Sequence, residues 1–350
     1  MSEDTRITRF NEMLKDLDDR EKHLPPVQNK YMGLTVPFPQ TLELQNQMIE
    51  SIERLIHHDP EVCIAVHFTS ISAINTKYNE VIFIGNDYLH LMSIRDFMKG
   101  HGIESSISPS FILYREYADD LNRNFHGKHT RVTSVNDIFS LIEIYMTDLD
   151  FGKGYQYENR LPKKDIIHYC ACNRKEDEEG KVLGNQLFIQ SLSLYSKLLL
   201  INGFRWGYPV VDTEVHVLDA KCQVCYYRDY YFILSAMNTL QDAMKRANWR
   251  LCEPLMEIRI SCTKQYMEEN SFINETAHLQ WSEDREHCKA FFQVKISNVI
   301  SCLEEFYSDN QNIFDFNIKM VGYVPVELPT VKCNGFKIIN DIGAWKEDIN

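Results

Sequence analysis

Gly207-Tyr208-Pro209-Val210-Val211-Asp212, then Val215-His216-Val217-Leu218, opens the segment on which the reading of this chain turns; Leu251-Cys252-Glu253-Pro254-Leu255-Met256 closes it. Between them lie a polar stretch, Asp219 to Asp229, expected to be an exposed loop, and an amphipathic run. In that run Tyr230, Ile233, Met237, Leu240, Met244 and Ala247 recur at steps of three and four, which predicts one buried helix face. Met256, Ile258, Ile260 and Cys262 then alternate with Glu257, Arg259 and Ser261, the period of a half-buried strand. Strand, loop, helix and strand therefore follow one another without a break.

The rest of the chain surrounds this frame with further cores. Its 350 residues are enough for two or three domains, and 44% hydrophobic with 25% charged residues is ordinary for a globular protein. A net charge of −13 argues against indiscriminate nucleic-acid binding, although a local basic patch is compatible with it. No run approaches the roughly 18 apolar residues that span a bilayer. The acidic start, Met1-Ser2-Glu3-Asp4, does not resemble a signal or transit peptide. The 10 cysteines are scattered, and Cys63, Cys252, Cys262, Cys288, Cys302 and Cys333 stand singly, as reduced core residues do.

In order, residues 1–30 read as a charged leader or linker. Residues 31–116 read as strand, helix, strand, strand, helix, strand, a ferredoxin-like βαββαβ unit. Its first helix carries Leu44, Met48, Ile52 and Leu55 and stops before Asp59-Pro60, because proline disfavours helix in the preceding residue. Cys63 to Phe68 and Val81 to Ile84 are β runs. The second helix carries Leu89, Met92 and Phe97 and ends at Gly102, before a strand at Phe111 to Tyr114. Residues 117–250 form an α/β unit. It has strands at Ile142 to Met146 and Asp165 to Cys172, a loop from Gly152 to Lys164, and a solvated insertion at Lys175 to Gly180. A helix then runs to Asn202-Gly203. Residues 251–328 repeat the βαββαβ order, and 329–350 form a loose tail. The fold class is α+β: two ferredoxin-like domains flanking an α/β domain.

Chemistry is expected to be sparse. A GTPase needs a glycine-rich loop ending in Lys-Ser/Thr to cradle phosphates. Gly127-Lys128 is followed by His129 and Gly152-Lys153 by Gly154, so neither qualifies. Asn29-Lys30-Tyr31-Met32 lacks the carboxylate that reads guanine. No catalytic residue, bound cofactor or enzymatic activity is therefore expected of this chain. His57-His58-Asp59 reads as a helix end stabilised by the helix dipole. Cys222-x-x-Cys225 with Cys170-x-Cys172 offers four thiolates for zinc, but Cys-x-Cys is not the usual half-site, and core or loop cysteines are the preferred reading.

The blocks Gly207 to Asp212, the helix ending Ala243-Met244-Lys245-Arg246-Ala247, and Leu251 to Met256 resemble elongation factor G, where they close the fourth domain and open the fifth. Asp59-Pro60, Gly85 to Met92 and Tyr114-Arg115-Glu116 resemble its third domain. The resemblance implies that residues 117–250 are a domain IV-like, S5-like unit and 251–328 a domain V-like unit. The GTPase domain, with the GTP and Mg of full-length relatives, would be absent. It implies that the loop from Asp219 to Asp229 is a tip entering the ribosome, the family's tip histidine falling on Gln223. Lys221, Gln223 and Arg228 can bond phosphate and Tyr226 and Tyr227 can stack on bases, with Cys222 between them. The fifth-domain resemblance is thinner. The family's Arg-Arg-Gly has no counterpart near Asn274-Glu275-Thr276, and Asn310-Gln311-Asn312 replaces its glycine loop.

Within the family, Asp4-Thr5, Ser108-Pro109 and Glu253-Pro254-Leu255-Met256 are similar to the second mitochondrial elongation factor G, also called ribosome-releasing factor 2. That similarity implies mitochondrial ribosome disassembly, with the mitochondrial ribosome and a ribosome recycling factor as partners. No membrane or DNA partner is expected. A mitochondrial location follows from resemblance alone, with cytoplasm as the alternative. Competing readings are a non-ribosomal interaction module that kept the fold, and the C-terminal part of a longer GTPase.

Overall fold

The computed structural model describes residues 30–72, 75–103, 108–132, 137–162, 166–169, 178–225, 228–270, 278–281, 286–309, 311–326 and 336–339, with 8, 11–12, 14–15 and 19 before them. Most of the charged leader, the insertion residues Lys175 to Asp177, and Asn274-Glu275-Thr276 lie outside the described residues. So do Asn310, Cys170, Cys172, Tyr226, Tyr227 and Cys333.

The elements are β1 (Met32–Pro37), α1 (Leu42–His58), β2 (Cys63–Ser72), β3 (Asn75–Gly85), α2 (Tyr88–Gly100), β4 (Ser108–Ile112) and β5 (Arg115–Ala118). There follow β6 (Arg123–Arg131), β7 (Ile138–Asp148), β8 (Tyr155–Asn159), β9 (Ile167–Tyr169), α3 (Glu178–Asn202), β10 (Thr213–Val224) and α4 (Asp229–Met244). The last stretch holds β11 (Trp249–Thr263), α5 (Lys264–Glu269), β12 (His278–Trp281), β13 (His287–Lys295), α6 (Ile296–Val299), a 3-10 turn (Ile300–Cys302), α7 (Leu303–Ser308), β14 (Ile313–Pro325) and β15 (Phe336–Ile339). The tail after Pro329 thus contains a strand where loose chain is expected. Two compact units emerge: Met1–Gln28, Glu116–Arg250 and Phe336–Trp345 in the first, and Asn29–Arg115, Leu251–Gly335 and Lys346–Asn350 in the second.

The second unit contains the same topology twice. Four strands lie in the order β2-β3-β1-β4, and four more in the order β12-β13-β11-β14. Each set is antiparallel with the first strand inside, the arrangement of a βαββαβ motif. The α1 stripe buries Met48, Ile52 and Leu55 as expected, adds Ile49 and Ser51, and leaves Leu44 exposed. Asp59 ends this helix in an extended conformation before Pro60. On α2 the buried set is Tyr88, Leu91, Met92, Ile94 and Met98, and Leu89 points outward. Asp87 caps that helix by accepting the Leu89 N–H at 3.0 Å. Tyr88 stacks on Tyr307 of α7, centroids 5.3 Å apart and planes 6° from parallel, so the helices of the two halves of this unit meet.

The first unit is one sheet in the order β6-β7-β10-β8, with β9 also beside β10. β6, β7 and β10 are antiparallel neighbours, while β8 and β9 run parallel to β10 and are joined to it through α3. Phe125, Ile142, Ile144, Met146, Leu187, Phe188, Val217, Phe232 and Leu240 share one buried core. Three expectations fail here. The stretch from Gly152 to Lys164 is not all loop: Tyr155 and Tyr157 alternate into the core as β8. The insertion ends earlier than expected, because Glu178-Glu179-Gly180 is the first turn of α3, with Gly180 buried. And Asp219 to Val224 is strand, because β7 continues to Ile138 and supplies partners as far as Val224. A bulge between Val217 and Asp219 resets the phase, so that Ala220, Cys222 and Val224 turn inward.

The predicted stripe of α4 is buried at Leu240, Met244 and Ala247, but in the first half of the helix the buried face is rotated, with Ile233 and Met237 half-buried. Tyr231, Phe232, Ser235, Ala236, Thr239, Leu240, Ala243 and Met244 are buried, whereas Tyr230 is 46% exposed. Small residues decide this. Gly127 of β6 lies so close that a Cβ there would overlap the Thr239 carbonyl oxygen and approach the Ala243 nitrogen to 2.8 Å. Thr239 in turn exchanges a side-chain hydrogen bond with Ser140 of β7.

Glu116 fixes the entry to this sheet. Its buried carboxylate accepts the amide N–H groups of Phe204 (2.8 Å), Arg205 (2.9 Å), Trp206 (2.8 Å), Gly207 (2.9 Å) and Tyr208 (3.2 Å). Burial pushes the carboxyl up while the amides pull it down. Each oxygen accepts two or three donors, which leaves no room for a carboxyl O–H. Glu116→Gln turns one oxygen into a donor facing donors; it should destabilise the chain by about 3–5 kcal/mol in urea unfolding, and a loss below about 1 kcal/mol would contradict the latch. Gly127→Ala should cost about 2–3 kcal/mol through the helix–strand overlap. Gly100→Ala, at the open end of α2 with no atom within 4 Å, should be neutral or slightly stabilising in the same assay.

Candidate nucleic-acid interface

At one end of the first unit, β6, β7, β9, β10 and the start of α4 come together. The register Arg131↔Ile138↔Val224 brings the end of β6 and the start of β7 beside the end of β10, and Gln223↔His168 adds β9. Lys128, Thr130, Arg131, His168, Lys221 and Arg228 are exposed at this end, and Val132 is 76% exposed. The Lys128 ammonium lies over the Phe139 ring, 5.3 Å from its centroid. Tyr230 packs on Tyr231 with centroids 4.2 Å apart. The neighbouring Tyr231 holds the Tyr230 phenol above its usual range, against the opposing pull of the Arg131 and Arg228 charges. Burial and the Arg131 charge hold His129 below the ordinary histidine range, so that imidazole is neutral at pH 7.

Cations around an exposed phenol are the parts that single-stranded nucleic acid uses: charge for phosphate, a ring face for a base. Of the residues expected at the tip, Lys221 and Arg228 are exposed here and Gln223 is half-buried between Phe139 and His168. Cys222 is corrected from surface to core. It is fully buried against the helices, and burial pushes its thiol up to about 12, with Ser235 pulling the other way. A thiol so held is a poor zinc ligand, and Cys225 is buried as well. The first half of the expected tip, as far as Val224, is therefore strand.

Lys128, Arg131, His168 and Tyr230 were not legible as site residues. The signal for β6 was the alternation of Phe125, Gly127 and His129 with Asn124, His126 and Lys128, hidden because only Phe125 is strongly apolar. Asp59 is likewise paired elsewhere than its neighbours suggest: it meets His90 of α2 at 2.5 Å, while His57 and His58 are exposed.

Asp242 of α4 braces the strand from behind, accepting the Lys128 amide at 2.9 Å and pairing with Arg246 at 2.9 Å. Burial raises its pKa, but Arg246 and the Lys128 amide outweigh that and hold it below the usual aspartate range. Because the folded value lies below the unfolded one, the brace is complete above pH of about 4 and fades as pH falls through the folded value. Amide-exchange protection at Lys128 should therefore persist from pH 7 to 5 and drop below pH of about 4. Asp242→Asn should lower it already at pH 7, and protection unchanged in that variant would refute the brace.

No protein-family model matches the chain. It is 25% identical over 224 residues to elongation factor G from Anaplasma marginale, strains Florida and St. Maries alike. The matches cover 64% of this chain and 29% of those relatives, so the chain spans less than a third of their length. A crystal structure of a Thermus thermophilus protein superposes on 87% of the chain and 42% of its own, with a TM-score of 0.49 and 14% identity. The chain is thus weakly homologous to elongation factor G.

Proposed function

We propose that this translation-factor relative docks on a ribosome and presents the basic end of its first unit to ribosomal RNA. The observation that carries the reading is the meeting of Lys128, Arg131, Arg228 and exposed Tyr230 at one end of the sheet, in a chain whose net charge is −13. A local positive end on an acidic molecule orients it: repulsion keeps the other faces away from phosphate while the tip is attracted. The weak homology to elongation factor G supplies the class of partner.

The finer reading is ribosome disassembly in mitochondria beside a recycling factor, with GTP and Mg handled outside this chain. It rests on the similarity around Glu253-Pro254-Leu255-Met256 and on the lack of a Lys-Ser/Thr phosphate loop in these residues. A second reading, docking on a protein partner, is favoured by aromatic exposure in the second unit: Trp281 is 40% exposed, Phe291 36% and Phe314 54%.

Co-sedimentation separates the two. The chain should pellet with mitochondrial ribosomes at about 50 mM salt and be released as salt rises, as phosphate contacts require. Arg131→Glu with Arg228→Glu should weaken binding at least about tenfold without unfolding the chain. Absence from every ribosomal fraction at low salt, or binding unmoved by the double reversal, would refute the proposal.

A further inference from the structure

On the face of the first unit's sheet away from its helices, β8 and β10 place three potential ligands together. His216 stands opposite Glu158 across the parallel ladder, and Glu214 lies two residues back on the same side. The imidazole is 3% exposed and faces a carboxylate on each side. Nδ1 is 3.0 Å from a Glu158 oxygen, and Nε2 is 3.2 Å from a Glu214 oxygen. Tyr145 covers the ring, centroids 6.0 Å apart.

A neutral imidazole carries one N–H and so satisfies one of these carboxylates. With the proton on Nε2, the unprotonated Nδ1 stands 3.0 Å from an anion. Nδ1 is buried and makes no hydrogen bond. Either a second proton on the ring or a bound cation satisfies such a pairing. Arg160 supplies part of the charge, holding the same Glu158 oxygen through Nε at 2.6 Å and Nη2 at 2.5 Å, but it does not satisfy Nδ1.

We propose that His216, Glu158 and Glu214 form a binding site for a divalent transition-metal ion of the zinc class. Their ligand atoms lie within 4.8 Å of one another. Ligands held about 2.0–2.2 Å from a metal stand roughly 3 Å apart at neighbouring vertices, the spacing found between Nδ1 and Glu158. Imidazole with carboxylates suits zinc, cobalt or manganese better than magnesium or calcium. Bound there, the ion ties edge strand β8 to β10.

Cobalt(II) titration of the full chain at pH 7.5 tests this, because its spectrum separates nitrogen–oxygen from thiolate ligation. One equivalent should bind with visible d–d bands and no thiolate charge-transfer band. Glu158→Gln, at a half-exposed position that does not endanger folding, should weaken binding at least about tenfold, and His216→Ala should abolish it. No retained cobalt would overturn the proposal. A thiolate band that survives Glu158→Gln would overturn it too, assigning the ion to cysteines.

Discussion

A single buried carboxylate organises the first unit. Glu116 accepts five successive amides from Phe204 to Tyr208, and its own backbone N–H and C=O bond Pro209 and Val211. The chain leaving α3 is thereby turned and delivered into β10. Gly203 makes the turn at φ +72, and a Cβ there would overlap the Glu116 carboxylate and the Tyr208 carbonyl. Without the anion, five successive amides of a largely part-buried turn would lose their shared acceptor. The geometry of β10, and so of the tip at its far end, depends on this one contact.

The motif Tyr114-Arg115-Glu116 was visible as a family signature, but not as a latch. Sequence shows which residues recur, whereas the amides that Glu116 binds belong to whatever backbone lies opposite it. Arg115 works separately, donating to the carbonyls of Leu113, Tyr114 and Lys30 in the second unit. The two βαββαβ halves of that unit were legible because their strands are apolar and their helices stop at Asp59-Pro60 and Gly102. The rotation of α4 was not. Hydropathy places Tyr230 inside, yet close approach to Gly127 requires Ser235, Ala236, Thr239 and Ala243 at the contact. Size, not apolarity, chose the face. The extent of β10 was partly legible, since Asp219, Lys221 and Gln223 alternate with Ala220, Cys222 and Val224; the bulge at Val217 masks the continuity with Val215.

These corrections change the character of the tip. Its chemistry is carried less by the Cys222–Gln223 segment than by β6 and the first turn of α4, two elements packed on each other through Gly127 and braced by Asp242. Rigid support under exposed cations lowers the ordering cost of binding a flexible strand. Near β8, at the other end of the sheet, Glu158, Glu214 and His216 cluster around one buried ring, with Arg160 on Glu158.

Docking through this end is tested by replacing Val132, 76% exposed there, with a photo-crosslinking residue and irradiating the chain with mitochondrial ribosomes. Adducts on ribosomal RNA, lost at high salt, are expected. Adducts confined to proteins outside the ribosome, with no ribosomal RNA labelled at low salt, would contradict it.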